Sequence, residues 1–206
     1  YYAKSRQECN GKSKWKAIAK QIKRDIKKSQ SPTRIVVYSF FRDKGADGFF
    51  TYLQSHNRGE VNENKRFTYN YKGRDVEVSL MKDGTLDWFN DVEPQCKILL
   101  LTSKAGKGIS LKNVYSFHLM EPQWSFADEE QAIGRCTRKG SHDIIDPVVR
   151  VTRWLAISPQ PTKRTADERV LKAMLKKKEF TDRLNKRLAK FGKKHLAALL
   201  RDFHRT

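Results

Sequence analysis

The sequence lacks the features that hold small secreted proteins together or carry a chain through a bilayer. Its three cysteines, Cys9, Cys96 and Cys136, are odd in number and widely spaced. That argues against a disulfide framework or a zinc site and fits a reducing compartment. The five histidines lack ligand spacing, so no metal site is expected within the chain. No stretch approaches the roughly 18 apolar residues of a transmembrane helix, and no signal peptide opens the chain. The expected location is therefore intracellular, without a membrane partner. Tyr1 in place of a methionine suggests a fragment of a longer chain. No Gly-x-x-x-x-Gly-Lys-Ser/Thr phosphate loop is present, and no Asp-Glu pair follows a strand to hold magnesium. Acids are scarce as well: 23 Asp and Glu face 43 Lys and Arg, for a net charge of +20. Such an excess does not dictate a fold, but it favours a polyanion partner, of which nucleic acid is the commonest.

Among the residues present, two stretches stand out. Gln131 to His142 reads QAIGRCTRKGSH and follows an acidic helix start at Asp128, Glu129 and Glu130. On a helix, Arg135 and Arg138 would share a face and could point at one target, with Gln131 one turn earlier. A planar, permanently charged fork suits a phosphate. Two such arginines also suit a plain solvated face. Before them, Lys97 to Met120 reads as a buried parallel strand (Ile98 to Leu101), a hydroxyl pair (Thr102, Ser103), a loop with Gly106 and Gly108, and a second apolar run from Val114. That order offers backbone N–H groups at the carboxyl edge of an α/β sheet.

At these residues the chain resembles a known family. LLTSKAGKGISL resembles motif V, and Gln131, Gly134, Arg135 and Arg138 meet the motif VI pattern Gln-x-x-Gly-Arg-x-x-Arg, of superfamily-2 helicases and translocases. The similarity is greatest to large-DNA-virus helicases of the poxvirus nucleoside triphosphate phosphohydrolase I type and to the Swi/Snf group, and it covers about residues 34 to 178. The resemblance implies the second of two RecA-like lobes, so the chain holds half of an active site for ATP, with the magnesium held by the first lobe. It further implies Arg138 as the arginine finger and Arg135 as its partner on the γ-phosphate, with Gln131 and Gly108 also on the nucleotide side. Ser39, at the end of a motif IV-like strand, would touch the nucleic-acid backbone together with Thr102, Ser103, Lys104 and Gly106. Ser110 stands where the family often carries an aspartate for the ribose, so the resemblance does not imply a ribose contact. The implied partners are DNA or RNA and the N-terminal lobe, with transcription machinery a further candidate. The compartment is then cytoplasm, nucleus or virion. The alternative is a non-catalytic nucleic-acid-binding module or an interaction domain of a transcription complex.

The rest of the chain reads as three parts. Residues 1–33 form a basic entry: an unstructured start to residue 11, then an amphipathic helix over Lys12 to Lys28, whose Trp15, Ile18, Ile22 and Ile26 follow helical spacing. Residues 34–158 alternate strands and helices, with apolar runs too continuous for a one-sided sheet, which predicts an α/β fold with a parallel sheet flanked by helices. Within it, Arg66 to Leu80 departs from the family and reads as a β-hairpin around Lys72-Gly73. It is taken as an edge feature without a site. Ser125 or Asp128 caps the arginine helix, and Val148 to Ile157 predicts a further strand. Residues 159–206 form a basic helical extension, expected to break at Gly192 before a last helix over His195 to His204.

Overall fold

The computed structural model describes residues 2–29, 33–91, 93, 95–104, 108–143, 147–160 and 162–203, with residues 2 and 193–203 described by backbone alone. The elements run α1 (Tyr2–Glu8), α2 (Lys12–Lys28), β1 (Arg34–Ser39), a π-helical turn (Arg42–Asp47), α3 (Gly48–Asn57), β2 (Arg66–Tyr71), β3 (Arg74–Leu80) and α4 (Thr85–Asn90). They continue with β4 (Cys96–Thr102), β5 (Val114–Leu119), α5 (Phe126–Gly134), β6 (Arg150–Arg153) and α6 (Ala166–Phe203).

One six-stranded sheet, ordered β2-β3-β4-β1-β5-β6, organises the chain. Only the β2–β3 pair is antiparallel. Side chains alternate along a strand, so β1 faces both layers of the core. Ile35 and Val37 pack with Ile18, Ile22 and Ile26 of α2 and with Phe49 and Leu53 of α3. Val36 and Tyr38 pack with Phe89 of α4, with Leu99 and Leu101 of β4, and with Ala132 of α5. Burial on both faces is what a parallel sheet requires. Among the described residues no helix is long and apolar enough to cross a membrane.

The hairpin forms with its turn at Lys72 and Gly73, but only β2 is an edge strand. β3 pairs in parallel with β4 from Val76↔Cys96 to Leu80↔Leu100, inside the main sheet. Some basic residues are structural: Arg34 and Lys97 are buried, and they donate to the Phe89, Asp91 and Trp88 carbonyls at the end of α4. Cations there satisfy the carbonyls that a helix leaves open at its last turn.

Three expectations change. The start of the chain is a helix, α1, held by polar docking that hydrophobic periodicity does not register. Arg6 is buried, donates to the Pro122 carbonyl at 2.6 Å, and lies 4.8–5.5 Å from the ring centres of Trp124, Phe41 and Phe40. The predicted strand over Val148 to Ile157 shrinks to β6. It has a strand partner on one side only, and Val148 and Ile157 lie exposed. Gly192 does not break the last helix. α6 runs for 38 residues through it, because one glycine costs a helix only about 1 kcal/mol. His204 lies outside the described residues. α6 starts on a capping box, in which the Thr165 hydroxyl accepts from the Glu168 N–H and the Glu168 carboxylate accepts from the Thr165 N–H.

A candidate nucleotide and nucleic-acid site at the carboxyl edge

β1, β4 and β5 end side by side, with Ser39 opposite Thr102 and Tyr38 opposite Leu119. Ligands of open α/β sheets bind at such carboxyl edges. Ser39, expected to meet a nucleic-acid backbone, is instead completely buried. Its hydroxyl contacts both Glu121 carboxylate oxygens at 3.2 Å and accepts from the Phe41 N–H. Gly45 lets the following turn close over it. A Cβ there would sit 2.1 Å from the Ser39 Oγ, so any other residue would push the turn off the strand. Ser39 thus shapes the strand end, its side chain enclosed under the following turn.

Thr102 and Ser103 are half-buried and Lys104 is exposed. All three line an open cleft of about 760 Å³ with Phe40, Lys65, Met81 and Lys82. Gly106 lies outside the described residues. Gly108 is exposed with φ +75°, in the left-handed region that favours glycine. Beyond it, the loop is stitched to the arginine motif through the backbone: the Leu111 N–H donates to the Arg135 carbonyl at 2.9 Å, and the Asn113 N–H to the Ser141 carbonyl at 2.8 Å.

Ser125 caps α5, its hydroxyl accepting from the Asp128 N–H. The helix then ends at Gly134, earlier than the sequence suggested. Arg135 is the C-cap residue, and Arg138 follows in a turn closed by the Ser141 N–H on the Arg138 carbonyl. The two arginines therefore do not share a helix face. Gly134 is a weak helix former, and Cys136 just beyond is wholly buried in the core. Burial pushes its thiol up to about 12, so the group packs as a small apolar side chain.

Arg135 turns inward. Its guanidinium lies 5.8 Å from the centre of the Tyr38 ring, and its Nη1 is buried without a hydrogen-bond partner among the described residues. It lines a cavity of about 170 Å³ with Tyr38, Ser103, Asp128 and Gln131. Arg138 is exposed and borders a different cavity with Thr137, Lys139 and His142. Gln131, Arg135 and Ser103 are thus brought together and Arg138 is set apart. Among the described residues no cluster of three or more His, Cys, Asp or Glu could hold a metal ion.

Sequence reading assigned no role to Glu121. This carboxylate is buried at the end of β5 and accepts from the Phe40 N–H, the Ser39 hydroxyl and the Asn10 amide. Burial raises its affinity for a proton, opposed by the Phe40 N–H, Asn10 and the nearby charges of Lys14 and Arg6. An acid immediately after a buried strand was the available signal. Phe40, Lys65 and Lys82 of the open cleft were missed too, because only the folded sheet brings them together.

The fold and this edge define a RecA-like lobe of a superfamily-2 helicase. Residues 13–140 match the family described as “Helicase conserved C-terminal domain”, and the chain belongs to that family. It is 33% identical over 93 residues to a protein of Acanthamoeba polyphaga mimivirus named “Putative ATP-dependent RNA helicase”, an alignment covering 43% of this chain and 21% of that one. It is 34% identical over 67 residues to the “Termination factor NPH-I homolog” of African swine fever virus, covering 31% and 10% respectively. The solved C-terminal part of the Fun30 ATPase domain shares the fold, with a TM-score of 0.51 at 16% identity over 78% of this chain and 44% of that one. The matched region spans about a fifth or less of either viral relative.

Proposed function

We propose that this chain is the C-terminal lobe of a two-lobe, ATP-dependent nucleic-acid helicase or translocase, giving arginines to the nucleotide and part of the track to the strand. The observation that carries this reading is the Arg135 Nη1, a buried donor without an acceptor beside Gln131 and Ser103. An unmet guanidinium N–H is costly, and a phosphate oxygen is the acceptor it suits best. ATP bound mainly by the first lobe would meet Arg135, with Gln131 at its side and Gly108 nearby. The exposed Arg138 would swing in as the finger when the lobes close. Magnesium would be held by the first lobe, together with the nucleotide phosphates. Thr102, Ser103, Lys104 and Gly106 would hold the strand. Residues 34–158 would act as the lobe proper, and the flanks, 1–33 and 159–206, would add phosphate contacts. The named function of the swine fever virus relative makes transcription termination a candidate setting.

The reading is tested by complementation. The 206-residue chain alone is expected to hydrolyse no ATP above background, and adding a separately made first lobe is expected to restore hydrolysis. Robust turnover by the pure isolated chain would overturn the half-site assignment.

A second expectation follows from the charge. Lys12, Lys16, Lys20, Arg24, Lys27 and Lys28 of α2 are exposed, as are Lys176, Lys177, Lys186, Arg187 and Lys190 of α6. The chain should bind nucleic acid weakly and without sequence preference. The log–log slope against salt should be about −0.9 per phosphate neutralised on a duplex and about −0.7 on a single strand. Anisotropy titrations at two salt concentrations decide it, and binding indifferent to salt would reject phosphate contact. Lys14, in contrast, is buried and takes no part.

A further inference from the structure

Phe40 stands just past the end of β1, on the wall of the 760 Å³ cleft at the carboxyl ends of β1, β3 and β4. It is 42% exposed, and its backbone is tied on both sides. Its N–H donates to the buried Glu121 carboxylate, and its carbonyl accepts from the Ser103 hydroxyl at 3.4 Å. Its ring meets Phe41 edge-on, centres 5.3 Å apart at 80°, and the Arg6 guanidinium lies 5.5 Å from its centre. A large apolar side chain, pinned on both backbone sides and braced by a buried arginine, is held in water in one place. Around it the cleft carries exposed Lys65, Lys82 and Lys104. Of its two acids, Asp43 and Asp47, the latter is paired with Arg42 at 3.0 Å.

Lysines alone would serve a track that follows phosphates. A fixed aromatic among them adds a surface that fits the face of a base. Bases inside a duplex are already stacked on both faces and offer only their edges. We propose that Phe40 is a stacking platform for an unpaired nucleobase, so that the nucleic acid crossing this cleft is single-stranded there. This inference rests on the nucleic-acid reading given above and specifies the form of its substrate.

The test uses the full 206-residue chain with a fluorescein-labelled oligothymidylate and, separately, a blunt duplex. Phe40→Leu keeps the apolar bulk and removes the aromatic face. It should bind the oligothymidylate about tenfold more weakly, with the salt slope unchanged because no phosphate contact is lost. Binding to the duplex should not change. Phe40→Trp should keep single-strand affinity and add a fluorescence quenching on binding beyond any from the four native tryptophans. The double variant Lys82→Glu/Lys104→Glu should weaken both ligands and flatten the slope. If Phe40→Leu binds the single strand like the wild type, or loses the two ligands equally, the platform is overturned while phosphate contact stands. If neither ligand binds the wild type at low salt, the nucleic-acid reading itself fails, and the platform with it.

Discussion

Arg138→Lys in a two-lobe parent enzyme is expected to lower turnover by about 10³-fold or more while leaving ATP affinity nearly unchanged. An arginine that meets the transferred phosphoryl group stabilises charge that develops in the transition state, an effect of about 10³ to 10⁵ in rate. A lysine keeps the charge but loses the planar fork that spans two oxygens. Arg138 is exposed on a turn beyond α5, so the substitution should not disturb the lobe. Ground-state binding should survive because the finger acts on the transition state. Arg135→Lys should differ. Its guanidinium is half-buried against Tyr38, so that variant is expected to weaken ATP binding as well as turnover. Steady-state kinetics on the two variants give the comparison. Wild-type turnover in Arg138→Lys would move the finger to another residue.

The largest stability effect is expected behind Glu121, in the pair formed by Lys14 and Asp167. Lys14 Nζ lies 2.5 Å from an Asp167 oxygen, and the two side chains are 5% and 0% exposed. The ammonium also donates to the Asn10 side chain and the Met120 carbonyl, and the same Asp167 oxygen accepts from the Ala156 N–H. Removing one partner of a buried pair leaves the other charge uncompensated, which costs about 3–5 kcal/mol. Lys14→Met should therefore lose about that much in urea unfolding, a large share of the roughly 5–15 kcal/mol typical of a domain. Lys14→Met/Asp167→Leu should recover most of the loss, because neither charge is then stranded. A single variant as stable as the wild type would mean that water reaches the pair.

What the sequence could reveal depended on how local each cause is. α2 was legible to the residue because its apolar spacing comes from one helix and one face. The hairpin was legible because strand alternation and a Lys-Gly turn lie within a few residues of one another. The burial of Lys14 was not, since in the sequence it is one more cation on a basic helix and its partner lies 153 positions away. The same holds for α1, docked by Arg6 on rings and a carbonyl more than thirty residues off. At the site, residue types and motif order identified Gln131, Arg135, Ser103 and Lys104 as neighbours of one sheet edge. Helical spacing put Arg138 on one face with Arg135, but the helix ends at Gly134, before either arginine. The burial of Ser39 was not legible, because a glycine six residues later lies against it. Phe40 and Glu121 gained their roles only when β1 and β5 came to lie side by side.

The two backbone bonds that join the glycine loop to the arginine turn, Leu111 to Arg135 and Asn113 to Ser141, bear on the proposed cycle as a matter of linkage. Loop and turn cannot shift separately without breaking them. Any free energy by which a bound strand biases the turn must equal that by which a bound nucleotide biases the loop. If the strand tightened ATP about tenfold, ATP would tighten the strand by the same factor. Loss of the γ-phosphate would then loosen the grip on the strand, and each turnover would alternate between holding and release. Substituting Leu111 with proline, which has no N–H to donate, would cut one of the two bonds and should shrink both factors together, while Leu111→Ala, which trims the same buried side chain and keeps the N–H, should leave them in place.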